Sequence, residues 1–243
     1  MYGTSAITAI TAQNTVGVVA IHSVPPEIVL AQVRAVLADI RVDAVKVGML
    51  GTAPVTHAVA RALDELPAGI PVVVDPVMVA ESGARLLDPD AQRALVDEIL
   101  PRATVLTPNL PEARVLAGEL SPAAADEDAE AEALARALLT LGPRAVVLTG
   151  GHRARAIDLF LDSAGDGSVI SIEGPRHPDG AAHGSGCTHS SVLAARLARG
   201  DSPLDAARTA RALAGEAVAN GLRDVGAGAG PVDVTGLSQR PAN

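Results

Sequence analysis

The chain has 243 residues, of which 48% are hydrophobic and 1% aromatic, and its formal net charge is −9. This length and hydrophobic share suit a single α/β domain over residues 1–243 with a core of aliphatic side chains. The acidic balance, the absence of a dense basic cluster and the scarcity of aromatic stacking platforms argue against a nucleic-acid partner. No apolar run reaches the roughly 20 residues that cross a bilayer, so we expect no membrane partner.

Cysteine usage and the first residues indicate a compartment. Cys187 is the single cysteine, which excludes an internal disulfide and fits a reducing environment. The start, Met-Tyr-Gly-Thr-Ser, has neither the basic nor the apolar region of a signal peptide. We therefore expect a cytoplasmic protein.

Apolar periodicity predicts strands and helices that alternate along the chain. Strands are predicted at residues 5–11 and 16–24, on either side of a turn at 13–15, then a helix at 26–40, a strand at 42–47, a helix at 54–66 and a strand at 71–74. Next come a helix at 89–100, a strand at 104–106, a helix from Glu112 and a surface connection at 121–130.

The second half follows the same pattern. A helix with a stripe of Leu134, Leu138 and Leu141 ends at Gly142, before a strand at 145–148 and a hairpin of strands 157–161 and 168–172. Two helices close the chain, one at about 186–199 and one from Ser202-Pro203, where Asp205 predicts a capping box.

Strand–helix alternation predicts an α/β fold of three layers, α/β/α, in which helices cover both faces of a mainly parallel sheet. In such sheets, ligands bind outside the carboxyl ends of the strands. Asp75, Asn109, Gly150-Gly151 and the turn at 184–187 are expected at this edge. They are the first candidates for a functional site.

The strongest local signal is the sequence Ala-His-Gly-Ser-Gly-Cys-Thr at residues 182–188, directly before an apolar helix. Glycines let the backbone approach a ligand, and the free N–H groups of a helix start attract an anion such as a phosphoryl group. Cys187 would lie in the first helical turn, where a thiolate is favoured. The alternative is a Gly-rich turn that only caps a helix over a buried cysteine, and the heptapeptide alone does not decide.

This turn resembles the anion hole of the ribokinase-like kinases, which ends in a catalytic base. The base is usually aspartate, but in the hydroxymethylpyrimidine kinases of thiamine biosynthesis, and in some pyridoxine kinases, it is cysteine. The resemblance implies that Cys187 is the catalytic base and that Gly184, Ser185 and Gly186 form the anion hole. It also implies a ribokinase-like fold, ATP as the phosphoryl donor, and Mg²⁺.

Further motifs agree with that family in order and spacing from residue 2 to about 232. The segment 11–15 is similar to the family's pyrimidine-contacting strand end, and Lys46-Val47-Gly48-Met49-Leu50 is similar to a second substrate-side motif. The resemblance implies that Thr11 and Gln13 contact the substrate, with Gln13 hydrogen-bonded to the aminopyrimidine. Met49 is expected to pack on the ring.

The nucleotide side is matched by separate blocks. Asp75-Pro76-Val77-Met78 and Ser82-Gly83 resemble the family's next block, and Asn109 with Glu112 resembles the Asn-x-x-Glu motif that organises magnesium and phosphates. Gly150-Gly151-His152 resembles the strand end near the nucleotide, and residues 228–232 resemble the closing segment. The resemblance implies nucleotide contacts by Asn109, Glu112, Thr149 and Gly151. It implies metal contacts by Asp75, Asn109 and Glu112.

Each of these residues also has a purely structural interpretation. Gln13 could satisfy turn backbone, Met49 could be core, and Asp75 could cap a strand end. Asn109 and Glu112 fit the N-cap and N3 positions of a helix. Without the family resemblance, most of them would be assigned to structure.

The implied activity is ATP-dependent phosphorylation of 4-amino-5-hydroxymethyl-2-methylpyrimidine and then of its monophosphate, for thiamine diphosphate. A pyridoxine or pyridoxal kinase is the nearest enzymatic alternative, because ring and hydroxymethyl group are alike. A non-catalytic remnant that binds nucleotide or pyrimidine is the alternative from another class.

Two departures from the family affect these expectations. The family begins with a strand, a Gly- and Ser-rich turn and a helix, about 30 residues in all, and no counterpart precedes Met1. We expect a start codon assigned too late, or else a chain with half a pyrimidine pocket and exposed apolar surface that a homodimer would partly cover. In addition, Thr149 and Glu81 stand where relatives carry lysine, which lowers the positive charge near the phosphates.

Overall fold

The computed structural model describes residues 2–79, 86–118, 126–153, 155–178 and 180–239. The chain begins with β1 (Ala9–Gln13), β2 (Val18–Ser23), α1 (Pro26–Asp39), β3 (Val45–Val47), α2 (Ala53–Asp64), β4 (Val72–Val74), α3 (Pro89–Ala94), β5 (Val105–Leu106) and α4 (Leu110–Ala117). It continues with α5 (Glu127–Leu139), β6 (Ala145–Leu148), β7 (Asp158–Asp162), β8 (Ile170–Ile172), α6 (Ser185–Leu197) and α7 (Pro203–Ala219).

A central sheet organises the fold. Within the described ranges it has six strands in the order β3-β4-β5-β6-β7-β8. The pairs from β3 to β6 are parallel, and β7 and β8 are added antiparallel at one edge. The inner strands are buried along their whole length, as parallel strands covered on both faces require. The predicted α/β class is confirmed.

Side chains of alternate strand residues enter two separate cores. Val72, Val74, Val146 and Leu148 pack with the helices α1 to α5. Val73, Ala145 and Val147 pack on the other face with α6 and α7. The result is the predicted arrangement of three layers. Among the described helices, none combines the length and the apolar character that crossing a membrane requires.

The first two strands form a hairpin of their own, outside the central sheet. The side chain of Asn14 makes its turn, because it accepts hydrogen bonds from the amides of Val16 and Gly17 at 2.9 and 3.0 Å. β1 begins four residues later than predicted and extends to Gln13, which is therefore a strand residue and not part of the turn. The hydroxyl of Thr8 donates to the Met49 carbonyl at 2.7 Å and holds the hairpin beside β3.

Most predicted elements are confirmed within a few residues, and β6 has the predicted bounds. The prediction of a surface connection at 121–130 is wrong for its last residues, because α5 already begins at Glu127. Asp126 caps it by accepting the Ala129 amide at 2.8 Å, and an acidic first turn suits a helix dipole. Residues 119–125, and Glu81 with Ser82-Gly83, lie outside the described residues.

Three helix ends differ in detail. The helix predicted at 89–100 stays α-helical only to Ala94 and continues as a π-helical turn, Leu95–Ile99, and a 3₁₀ turn, Leu100–Arg102. Leu141 lies beyond the end of α5, although it still packs on the core. Ser202 caps α7 as predicted, but Asp205 accepts the Ser202 hydroxyl at 2.7 Å instead of completing a capping box.

The end of β6 turns sharply at Gly150, which has no room for a side chain. Its amide donates to the Asp158 carboxylate at 2.8 Å, and a Cβ at this position would lie 2.5 Å from the Ile157 amide nitrogen. At the next residue, Gly151, a Cβ would meet nothing within 4 Å.

We therefore predict that Gly150→Ala destabilises the protein by roughly 1–3 kcal/mol, because backbone must move to admit the methyl group. Gly151→Ala is the matched control and should change stability by less than about 0.5 kcal/mol. Chemical denaturation of both variants measures the difference. Equal stability of the two would show that the strand end accommodates a side chain at residue 150.

Candidate active site

The carboxyl ends of four parallel strands bring the candidate residues to one edge of the sheet. Met49 follows β3, Asp75 follows β4, Asn109 follows β5, and Thr149 follows β6. A short bridge joins the last two ends, since the Thr149 amide donates to the Pro108 carbonyl at 2.8 Å. The site is therefore assembled by strand register, as the sequence predicts.

Asp75 is the buried charge at the centre of this edge, with only 6% of its surface exposed. Its carboxylate lies 3.2 Å from the Lys46 ammonium of β3 and accepts the hydroxyl of Ser190, from α6, at 2.9 Å. The interpretation of Asp75 as a plain strand-end cap is therefore too narrow. Asp75 joins two neighbouring strands to a helix of the opposite layer.

Asn109 and Glu112 form a reciprocal capping box at the start of α4. The Asn109 side chain accepts from the Glu112 amide, and the Glu112 carboxylate accepts from the Asn109 amide, both at 2.9 Å. The structural interpretation of this pair is confirmed. Burial raises the pKa of Glu112 to about 7, and the nearby charge of Asp75 adds to the rise, while hydrogen bonds from the amides of Asn109 and Met78 oppose it.

The turn at 184–187 has the geometry of an anion-binding helix start. Gly184 has φ of +87°, a left-handed conformation that favours glycine, and α6 begins at the next residue. The Ser185 amide is used within the turn, at 3.0 Å from the Ala182 carbonyl. Within the described part of the chain, the amides of Gly186 and Cys187 have no backbone acceptor.

The charged residues at the strand ends act electrostatically on the Cys187 thiol. The residue is exposed, and partial desolvation by the surrounding protein raises the pKa of its thiol. The positive charge of Lys46 opposes this rise, and the charges of Asp75 and Glu112 add to it. The purely structural interpretation required a buried cysteine, and Cys187 is not buried.

The β1–β2 hairpin closes a third side of the site. The Gln13 amide nitrogen lies 3.5 Å from Nε2 of His183, the residue directly before Gly184. A cavity of about 190 Å³ lies between them and is lined by the hairpin turn 13–17, His183, Gly228 and Ala229. Thr11 pairs with Ile21 inside the hairpin.

The closing segment, residues 228–232, lies beside the turn at 184–187. The amide of His183 donates to the Gly230 carbonyl at 3.2 Å, and the Val232 amide donates to the His183 carbonyl at 3.0 Å. The Gly228 amide lies 3.3 Å from the Thr15 hydroxyl of the hairpin. Hairpin, turn and closing segment therefore meet at the cavity.

Sequence interpretation missed several contributors. Ser190 and His183 make contacts that link the anion-binding turn to Asp75 and to Gln13. Lys46 belongs to a recognised motif but received no role. A signal for it existed, because Lys46 is the single lysine among 19 Lys and Arg residues.

The implied metal can be tested against these residues. Within the described ranges, no group of three His, Cys, Asp or Glu side chains could hold an ion by itself. Mg²⁺ is commonly held by one or two carboxylates, with phosphates and water completing the shell. Asp75 and Glu112 are two carboxylates close enough for one to raise the pKa of the other, so they fit a magnesium–nucleotide site. The Asn109 side-chain oxygen is already used by the Glu112 amide.

The pKa of Glu112 leads to a test by stability. Because its folded-state pKa is raised to about 7, ionisation costs more in the folded than in the unfolded protein, and stability is lost as the pH rises from about 4.5 through 7. Glu112→Gln keeps the cap acceptor without the charge. Relative to wild type, the variant should gain up to roughly 3 kcal/mol of unfolding free energy between pH 4.5 and pH 8.

Denaturation without added nucleotide or metal at both pH values measures this gain. Glu27→Gln, at an exposed position in the first turn of α1, controls for the loss of one surface charge. If the difference in unfolding free energy between wild type and Glu112→Gln did not change with pH, the raised pKa of Glu112 and the burial that causes it would be contradicted.

Comparison with known proteins gives one consistent family. The family model described as phosphomethylpyrimidine kinase matches residues 1–233. The chain is 44% identical over 235 residues to a hydroxymethylpyrimidine/phosphomethylpyrimidine kinase of Rhizobium meliloti, covering 96% of this chain and 85% of that protein. It is also 44% identical over 237 residues to the thiamine biosynthesis bifunctional protein ThiED of Geobacter sulfurreducens, covering 96% of this chain and 46% of that protein.

A solved structure supports the fold. The pyridoxal kinase of Staphylococcus aureus in complex with ADP superposes with a TM-score of 0.82 at 30% identity, over 96% of this chain and 82% of that one. The fold is thus that of the ribokinase-like kinases. Taken with the anion-binding turn, the cysteine that follows it and the strand-end carboxylates, these matches place the chain in the phosphomethylpyrimidine kinase family.

Proposed function

We propose that this protein transfers the γ-phosphoryl group of ATP to 4-amino-5-hydroxymethyl-2-methylpyrimidine and then to the resulting monophosphate, for thiamine diphosphate. The observation that carries the proposal is the start of α6. There, the amides of Gly186 and Cys187 have no backbone acceptor among the described residues, and the charges of Lys46, Asp75 and Glu112 act on the Cys187 thiol. This combination of anion site, base and carboxylates suits phosphoryl transfer.

The substrate ring is assigned to the space between the hairpin and β3. Gln13 lies in the cavity wall next to His183, and its amide can donate to a ring nitrogen or accept from an amino group. Met49 and Thr11 complete the proposed substrate side.

The first transfer moves one proton and one phosphoryl group. The hydroxymethyl oxygen forms a bond to the γ-phosphorus, and the bond from that phosphorus to the bridging oxygen of ADP breaks. Cys187 accepts the hydroxyl proton as a thiolate, a form that the Lys46 charge favours. The amides of Gly186 and Cys187 stabilise the negative charge on the equatorial oxygens, while Gly184 and Ser185 shape the turn that presents them.

The nucleotide side is assigned to the other strand ends. Asn109, Glu112, Thr149 and Gly151 are proposed to hold the nucleotide, with Asp75, Asn109 and Glu112 on the metal side, where Asn109 acts mainly by fixing Glu112. Bound Mg²⁺ supplies charge neutralisation at the phosphates. Thr149 is half-buried and uncharged, so it can contribute hydrogen bonds but not the charge of the lysine common in relatives.

A second candidate substrate is pyridoxal or pyridoxine. Its support is the superposition on a pyridoxal kinase and the shared hydroxymethyl-bearing ring. Parallel turnover assays with both alcohols decide between them. Turnover of neither, with nucleotide still bound, would favour the non-catalytic interpretation.

We also propose that residues 1–243 form a single kinase domain, that the protein is a homodimer, and that it is located in the cytoplasm. The hairpin exposes 60% of Ile10 and 83% of Val19, apolar surface that a second copy can cover. The single cysteine is the proposed base and must stay reduced, which suits the cytoplasm. Sedimentation at several concentrations reports the oligomeric state directly.

For Cys187→Ala, we predict alcohol turnover lower by roughly 10²–10⁴-fold with nucleotide affinity nearly unchanged, because the proton acceptor is lost. Cys187→Asp supplies a carboxylate base and should recover part of the activity. Since the thiol's pKa is raised above its ordinary value, wild-type turnover should rise with pH above neutrality, and the aspartate variant should lose this dependence.

The matched control is Ser191→Ala, which removes an exposed side chain one turn further along α6. Steady-state kinetics between pH 6 and 9 separate these outcomes. Normal turnover by Cys187→Ala would assign the cysteine to structure.

For Gln13→Ala, we predict a KM for hydroxymethylpyrimidine raised roughly 10-fold, because a recognition hydrogen bond to the ring is lost. The kcat should change less, since the residue does not touch the reacting atoms. His22→Ala, exposed on the second strand of the hairpin, is the control. An unchanged KM in Gln13→Ala would place the ring elsewhere.

A further inference from the structure

Lys46 is unusual in both composition and position. It is the single lysine among 19 Lys and Arg residues, so arginine supplies the positive charge at every other basic position. Its side chain is only 21% exposed, and burying a charge is costly unless a partner or a function requires it. The retention of lysine at this one position calls for a chemical reason.

The surroundings of Lys46 suit a compact ammonium group. Val45 and Val47 pack toward the core with α1 to α5, so strand alternation directs Lys46 to the opposite face, where α6 lies. A Cβ at residue 48 would lie 2.8 Å from the Lys46 nitrogen, and glycine leaves this space open. A planar guanidinium is wider than an ammonium, so this space suits lysine better than arginine.

Lys46 has hydrogen-bonding capacity beyond its ion pair. An ammonium carries three donors, and the Asp75 carboxylate at 3.2 Å takes one of them. The ammonium is close enough to the Cys187 thiol for its charge to oppose the rise of that thiol's pKa, and Met49 follows three residues later in the chain. It can therefore meet a group attached to the hydroxymethyl carbon of a bound substrate.

We propose that Lys46 binds the phosphate of the monophosphate acceptor and is the specificity-determining residue for the second phosphorylation. This inference rests on the proposed function. In the second step, the acceptor brings between one and two negative charges toward Asp75, Glu112 and the transferred group. Within the described structure, Lys46 is the cationic side chain paired with Asp75, at 3.2 Å.

The two steps then need different residues. In the second step, an already ionised phosphate oxygen forms the bond to the γ-phosphorus while the bond to ADP breaks, and no proton has to be removed. A base is therefore needed for the alcohol but not for the dianionic monophosphate. Cys187 serves the first step and Lys46 the second, within one site.

The test is a crossed comparison of Lys46→Met and Cys187→Ala, each assayed separately with the alcohol and with the monophosphate. Lys46→Met should raise the KM for the monophosphate roughly 10–100-fold, the loss of a charge-assisted contact, and change the alcohol kinetics much less. Cys187→Ala should lower alcohol turnover strongly and monophosphate turnover much less. Arg34→Met, which removes a cation from the exposed pair with Glu65, is the control.

A binding measurement makes the result independent of turnover. Without nucleotide, titration calorimetry should show weaker monophosphate binding by Lys46→Met and unchanged alcohol binding. Lys46→Gln, which keeps a hydrogen bond to Asp75, gives the same comparison if the methionine variant does not fold. Equal losses with both acceptors, or a wild-type protein that phosphorylates only the alcohol, would overturn the role of Lys46. A wild-type protein that phosphorylates neither acceptor would overturn the proposed function itself.

Discussion

The buried carboxylate of Asp75 is the constraint on which the site depends. An ionised group with 6% exposure must be compensated, and its two partners come from different layers. Lys46 reaches it from β3 and Ser190 reaches it from α6. These contacts align the start of α6 with the ends of β3 and β4, and so fix the turn and Cys187 above the sheet.

At the end of β5, Asn109 and Glu112 have both a structural role and a proposed chemical one. Asn109 and Glu112 satisfy each other's amides and thereby start α4. The same burial that makes a strong cap raises the pKa of Glu112 to about 7. A nearby cation stabilises the ionised form of such a carboxylate, so this helix cap suits the proposed magnesium–nucleotide site.

The hairpin supplies the side of the site that the central sheet does not. It is held by Thr8 to the Met49 carbonyl and approaches the anion-binding turn through Gln13 and His183. The Gly228 amide of the closing segment lies 3.3 Å from the Thr15 hydroxyl of the hairpin, and a small cavity separates the two segments nearby. A two-stranded hairpin with exposed apolar residues has few stabilising contacts of its own, so its position is set by neighbours.

Local pattern was sufficient for the α/β class, for the bounds of β6 and for the glycine turn that starts α6 before Cys187, because these depend on periodicity and on residues close in sequence. It failed at Asp126, because an acidic segment is typical both of a surface connection and of a helix start. Here Asp126 caps α5 and the acidic residues after it form the first helical turn. Tertiary structure alone decided the partners of Asp75 and the position of Lys46. Ser190 lies 115 residues from Asp75 in sequence, and strand order and helix docking, which no local pattern encodes, bring them together.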